Sequence, residues 1–160
     1  MALRKPLVMV SGQITQLSAS DTLDAVVQEV EVITATNSNA GAIVIGMPVY
    51  VDGAGTVDKA QADASGTKKL LGLVTDVTVA TAATATIQTE GILAATTGQW
   101  DAIAGTTGGL TAGSVYFLDA ATAGNLTETA PSTATQFIVP CGLALSTLEI
   151  QILHELDIAL

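Results

Sequence analysis

Short runs rich in Val, Ile and Thr, each stopped by Gly, Asn, Asp, Ser or Pro, recur along nearly the whole chain. β-branched side chains are stiff at χ1 and pack well on a pleated surface, and the stopping residues are those that turns require. Candidate strands are Leu7–Val10, Gln13–Leu17, Ala25–Thr36, Ile43–Ile45, Val49–Asp52 and Lys69–Val79. Thr84–Glu90, Val115–Asp119, Gln136–Val139, Gly142–Ser146 and Glu149–Leu153 complete the set. In the stretch Gln28 to Thr34 the acids Glu29 and Glu31 alternate with Val30 and Val32. That is the pattern of a strand with one wet face and the valines turned inward. Turns are expected at Ser11-Gly12, Asn37-Ser38-Asn39, Asp52-Gly53-Ala54-Gly55, Ser65-Gly66 and Thr107-Gly108-Gly109. The chain holds 26 Ala, but they are interleaved with 23 Thr and 15 Gly, which oppose a helix interior. Single helical turns fit only 18–27 and Gln99–Ile103; beyond Leu148 a strand followed by a frayed end is expected. The pattern predicts an all-β fold, a small β-barrel or β-sandwich.

A weak internal repeat refines this. Val49-Tyr50-Val51-Asp52, Gly55-Thr56-Val57 and Gly72-Leu73-Val74 return in order as Val115-Tyr116-Phe117-Leu118-Asp119, Gly124-Asn125-Leu126 and Gly142-Leu143-Ala144, at offsets of 66 to 70 residues. Ile87 and Ile150 mark a further strand in each copy. Neither copy can bury its apolar face alone, so both belong to one β domain, 41–160, with modules at about 43–93 and 110–153. Residues 1–40 are left as an N-terminal arm with the first strands. Pro6 lacks a backbone donor and biases Lys5 to extended structure, and Leu7-Val8-Met9-Val10 then offers a strand to another sheet edge.

Charge removes whole classes of function. The net charge is −10, and residues 70–160 carry eight carboxylates with no Lys or Arg. Counterion release from nucleic acid needs a basic face, so no nucleic-acid partner is expected. Mean hydropathy is +0.53, yet no apolar run is long enough to span a bilayer, so no membrane partner is expected either. The N-terminus lacks the apolar core of a secretory signal, and a soluble protein made without export is expected.

Chemistry-bearing residues are few. Cys141 and His154 form a possible thiol–base pair, but Cys141 stands in the apolar string Phe137 to Leu143, where a free cysteine acts as a small buried group. Asp52 to Asp58 looks like a calcium loop without its alternating ligands or distal glutamate, and reads as a turn. Gly105 to Gly109 has no lysine after it and reads as a flexible loop, not a phosphate cradle. No catalytic, cofactor-binding or metal-binding residue is assigned. A cation held between subunits and a carboxylate pair acting on sugars stay open. Of the aromatics, Tyr50, Tyr116, Phe117 and Phe137 fall in candidate strands and read as core. Trp100 stands in a loop-like setting and is either an interface anchor or a plug over the core. Only 12% of residues are charged and 3% aromatic, so a small-side-chain core is expected to gain its remaining burial by self-association.

The strings themselves resemble a known group. Val115 to Pro131 followed by Val139 to Ser146 is similar to a module in virion proteins of tailed bacteriophages, and Lys5 to Leu17 resembles segments of their head-fibre and tail-fibre proteins. Met47-Pro48-Val49-Tyr50-Val51-Asp52 with Gly72-Leu73-Val74 resembles capsid-decoration, or head-cement, proteins. The resemblance touches about half the chain and implies a β-rich, β-tulip-like, commonly trimeric protein on the capsid exterior, made in the host cytoplasm. The implied partners are the major capsid protein and further copies of the chain. A tail-fibre, collar or baseplate component is the alternative, with a carbohydrate-active enzyme as a third class. Arg4, Lys5, Pro6, Leu7, Val8, Met9 and Val10, together with Trp100, are the candidate capsid or subunit interface.

Overall fold

Among the described residues, 7–10, 13–16, 30–153 and 157–160 of a computed structural model, the chain forms sixteen strands and one helix. Strands β1 (Leu7–Val10) and β2 (Gln13–Gln16) make an antiparallel hairpin. Five strands follow that close a barrel: β3 (Val32–Asn37), β5 (Pro48–Gly53), β6 (Thr56–Lys59), β7 (Gly72–Val74) and β9 (Thr84–Gln88), in the order β3-β6-β5-β7-β9. A ribbon of β4 (Ile43–Val44) and β8 (Thr78–Val79) accompanies it. The second half contains β10 (Ile92–Ala94), helix α1 (Thr97–Ala104), β11 (Val115–Leu118), β12 (Leu126–Thr127), β14 (Pro140–Ala144) and β15 (Glu149–Ile152). Its strands form an open sheet ordered β10-β15-β14-β11-β12. A last ribbon pairs β13 (Phe137–Ile138) with β16 (Ile158–Ala159).

The fold is all-β, as the strand-and-turn pattern predicts. A five-stranded barrel is narrow, and its interior admits only modest side chains. Ile43, Val49, Val57, Val74, Val79, Ala85 and Ile87 fill it, without a single ring. The expected facing of the 28–34 stretch is reversed. Val30 and Val32 are 51% and 50% exposed, while Ile33 and Ala35 pair with the buried Ile87 and Ala85 on the inner side. Because the side-chain period is two, the choice of face depends on which residues of β9 stand opposite, and the local alternation cannot supply that. The run Lys69–Val79 is also broken. Asp76 interrupts it by accepting the Thr86 N–H at 2.6 Å, which leaves β7 and β8 as separate strands.

The two halves share one strand order. The barrel opened between β3 and β6 reads β6-β5-β7-β9-β3, and the second sheet reads β12-β11-β14-β15-β10. Register agrees as well. Leu73 pairs with Gln88 and Val74 with Ile87, while Leu143 pairs with Gln151 and Ala144 with Ile150. Gly72 and Gly142 hold matching close approaches. A Cβ would stand 2.2 Å from the Gln88 carbonyl oxygen at Gly72, and 2.6 Å from Ile150 Cγ1 and 2.8 Å from the Gln151 oxygen at Gly142. One correspondence shifts. Val49 stands opposite Gly72 as Tyr116 stands opposite Gly142, so the partner of Tyr116 is the buried Val49 and not Tyr50. Each unit begins with the strand that flanks its last one, β3 or β10, and the units therefore run 32–88 and 92–152. The boundary expected at residue 40 thus falls beyond a barrel strand, and the second module starts before residue 110.

Closure separates the units. β3 ends by pairing in parallel with β6 through Thr36 and Asn37. At the matching point after β10 the chain turns into α1 instead. The Thr96 hydroxyl accepts the Gln99 N–H at 3.3 Å and the Gln99 side chain accepts the Thr96 N–H at 2.8 Å, a reciprocal cap. Trp100 and Ile103 of α1 enter a core shared with Tyr116, Leu118, Leu126 and Ile150, and α1 packs on β12. Leu73, Ala60 and Ala62 belong to the same core, which joins the barrel to the sheet. Backbone bonds sew the seam: Ala62 N–H to Asp119 O at 3.0 Å, Gly124 N–H to Ala60 O at 2.8 Å, and Phe137 N–H to Ala62 O at 3.0 Å.

Candidate interaction surface

Where barrel and sheet meet, an open groove of about 500 Å³ runs beside β10. Ile45 and Val77 come from the barrel side, Ala94 and Ala95 from β10 and its exit, and Leu148 and Glu149 from the start of β15. Val77 is 67% exposed and Leu148 45%, so two branched side chains stand in water at one place. Among the described residues the only charged one lining the groove is Glu149, which accepts the Ser146 hydroxyl at 3.3 Å.

Beside the groove lies a sheet edge. β10 pairs with β15 alone, with Leu93 opposite Ile150. Ala95 N–H donates to Leu148 O and Ile152 N–H to Gly91 O, both at 2.9 Å. Antiparallel strands alternate bonded and non-bonded pairs, so the backbone groups of Ile92 and Ala94 point away from β15. Among the described residues no strand lies along that side.

None of the described interface residues expected from sequence lines this groove. Arg4, Lys5 and Pro6 lie outside the described residues. Leu7, Val8, Met9 and Val10 form β1, but as half of a hairpin opposite Gln16, Thr15, Ile14 and Gln13, so the expected free strand already uses one edge. Trp100 sits on α1 with no exposed area, its indole N–H donating to Leu148 O at 2.8 Å. Its ring lies against Gly46 within the core that joins barrel and sheet, and so it is the core plug and not a surface anchor. The residues that do line the groove were not singled out from the sequence. A signal existed: Leu148 stands in the turn-like string Ser146-Thr147-Leu148-Glu149, where a bulky apolar residue has no strand face to enter.

The acidic side chains mostly hold turns. Asp101 accepts the N–H groups of Gly109 at 2.8 Å and Gly108 at 3.1 Å and the Thr106 hydroxyl at 3.0 Å. These donors, Gly109 first, hold its carboxyl below the ordinary range, and the glycine run expected to be a flexible loop is wrapped around a carboxylate. Asp52 accepts the Ser38 hydroxyl at 2.6 Å, which lowers its pKa in the same way. Glu128 is lowered by the Thr111 and Tyr116 hydroxyls, and the Tyr116 phenol is raised by burial and then by Glu128. Lys68 pairs with Asp157 and lies 3.9 Å over the Phe137 ring, fastening the last ribbon. Cys141 is buried and its thiol is pushed far up by desolvation; His154 lies outside the described residues. Among the described residues no three His, Cys, Asp or Glu side chains converge as metal ligands, and no helix is long and apolar enough to cross a membrane. No protein-family model matches the chain, and no curated protein matches it in sequence.

Proposed function

We propose that the chain is a non-enzymatic decoration, or cement, protein that binds the outside of a tailed-bacteriophage head as a homotrimer, with the major capsid protein as its partner. The observation that carries this reading is the apolar surface around Val77 and Leu148, on a chain with only 12% charged residues. Apolar area left in water forgoes about 25 cal/mol per Å², so a covering partner is favoured. The local resemblance of both repeated units to virion proteins supports a head location. A protein that bridges neighbouring capsomers raises the free energy needed to separate them against the outward push of packaged DNA. Its charge of −10 is repelled by that DNA, which suits an exterior position.

The test is occupancy. Purified heads are expected to carry the chain at a fixed ratio to the major shell protein, and heads assembled without it to burst at lower temperature. Deleting residues 2–10 is expected to abolish occupancy while the barrel stays folded; full occupancy would remove the arm from the mechanism. Recovery of the chain only with tails would favour a tail-fibre, collar or baseplate role. Turnover of host polysaccharide by the purified chain would overturn a non-enzymatic role.

A further inference from the structure

We infer that β10 is a receiving edge, and that its occupant is β1 of a second copy of this chain, added as a strand over the groove at Val77 and Leu148. The inference rests on the reading that the chain works as a homo-oligomer, and is independent of where in the virion it sits.

Three observations converge on it. The first is the edge itself. The barrel has closed on itself through β3 and β6, and in the second sheet α1 packs against β12. At β10, by contrast, the N–H and C=O groups of Ile92 and Ala94 point outward, and Ala94 borders an apolar groove. Strand addition gives such groups partners, while the groove takes alternate side chains.

The second observation is the state of β1. It pairs with β2 and, among the described residues, with no other strand. A two-stranded hairpin is marginal in water, and three or more strands are needed for independent stability. β1 and β10 therefore each have an edge to give. They are not joined within one chain, which leaves the β10 of another copy as the acceptor.

The third is charge. Among the described residues the groove is lined by one carboxylate, Glu149, and no cation, and no Lys or Arg occurs after Lys69. The segment entering β1 carries Arg4 and Lys5 just before Leu7-Val8-Met9-Val10; the other adjacent pair of cations, Lys68 and Lys69, leads into β7, which is already paired on both sides within the barrel. Opposite charges fix which segment docks and in which direction.

Disulfide trapping in the full chain tests this. Chains carrying Val8→Cys and Ala94→Cys together, mildly oxidised, are expected to give dimers and higher species on a non-reducing gel; Cys141 is buried and stays silent. Each single variant serves as the control. A cross-link confined to monomers would show that the chain's own hairpin fills the groove and would overturn the proposal. An oligomer by sedimentation without any cross-link would do the same, yet leave self-association standing. A monomer at micromolar concentration would remove self-association as well. Ala94→Pro supplies a second arm. Proline is tolerated where the N–H faces away from the partner strand, but it blocks strand addition at that edge. Self-association is expected to weaken roughly tenfold or more with thermal unfolding of the monomer unchanged. Unaltered self-association of a folded Ala94→Pro chain would overturn the proposal.

Discussion

Asn37 is fully buried and every part of its side chain is used. Its amide donates to Gly41 O and Val79 O, both at 3.1 Å, and its carbonyl accepts the Asn39 N–H at 3.0 Å. One residue thus ties the end of β3 to the turn that follows and to β8. Asn37→Ala leaves buried partners unpaired and is expected to destabilise the chain by about 1–3 kcal/mol, read from the urea midpoint at unchanged slope. Asp101 sets a pH dependence. Its carboxyl is held below the ordinary range in the fold, so its contribution is complete above the unfolded value near pH 4 and is lost as pH falls through the folded value. Asp101→Asn is expected to flatten the acid limb of a stability-versus-pH curve below about pH 4. A limb as steep as the parent's would show that Asp101 carries none of it.

At the scale of elements, the matched units predict matched sensitivities. Gly72 and Gly142 occupy the same place, on a strand whose neighbour approaches too closely for a Cβ. A Cβ at Gly142 would meet the Ile150 side chain at 2.6 Å and the Gln151 backbone oxygen at 2.8 Å, whereas one at Gly72 would meet the Gln88 backbone oxygen at 2.2 Å. Both are expected to destabilise by about 1–3 kcal/mol, with Gly72→Ala the worse. Equal costs in thermal denaturation would mean that the closer backbone obstacle at Gly72 relaxes as readily as the looser one at Gly142. Helix α1 is the element that makes the units differ. In a five-stranded ring β10 and β12 would meet; here the reciprocal Thr96–Gln99 cap starts a helix, whose Trp100 and Ile103 enter the core that joins barrel and sheet.

For the whole molecule, the barrel interior is too slender for rings, and the larger core that holds Trp100 and Tyr116 joins barrel and sheet. Burial in such a small-residue barrel is modest per residue, and apolar side chains remain at the seam groove. Association that covers them stabilises the folded state by mass action. The unfolding temperature is therefore expected to rise with protein concentration across the micromolar range. A concentration-independent midpoint, with sedimentation as a monomer throughout, would contradict the assembled working state.

The strand-and-turn pattern was enough for fold class because β-branching and turn chemistry act over a few residues. Leu7–Val10 and Glu149–Ile152 were legible to within a residue, and the Gly72 and Gly142 equivalence stood out as repeated Gly-Leu. Short strands such as Thr56–Lys59 and Ile92–Ala94 were not, since their polar or sparse composition becomes strand only when a neighbour supplies the ladder. Facing was also beyond local reach: Val30 and Val32 point outward because pairing with β9 fixes parity. Trp100 read as either an anchor or a core plug because its burial depends on Gly46 and Leu148, which lie far from it in the chain. Local sequence determined where the chain can extend and turn, since those preferences reside in single residues. Tertiary structure alone decided which edges close, which stay open and which apolar side chains are left in water, because each depends on segments far apart in the chain.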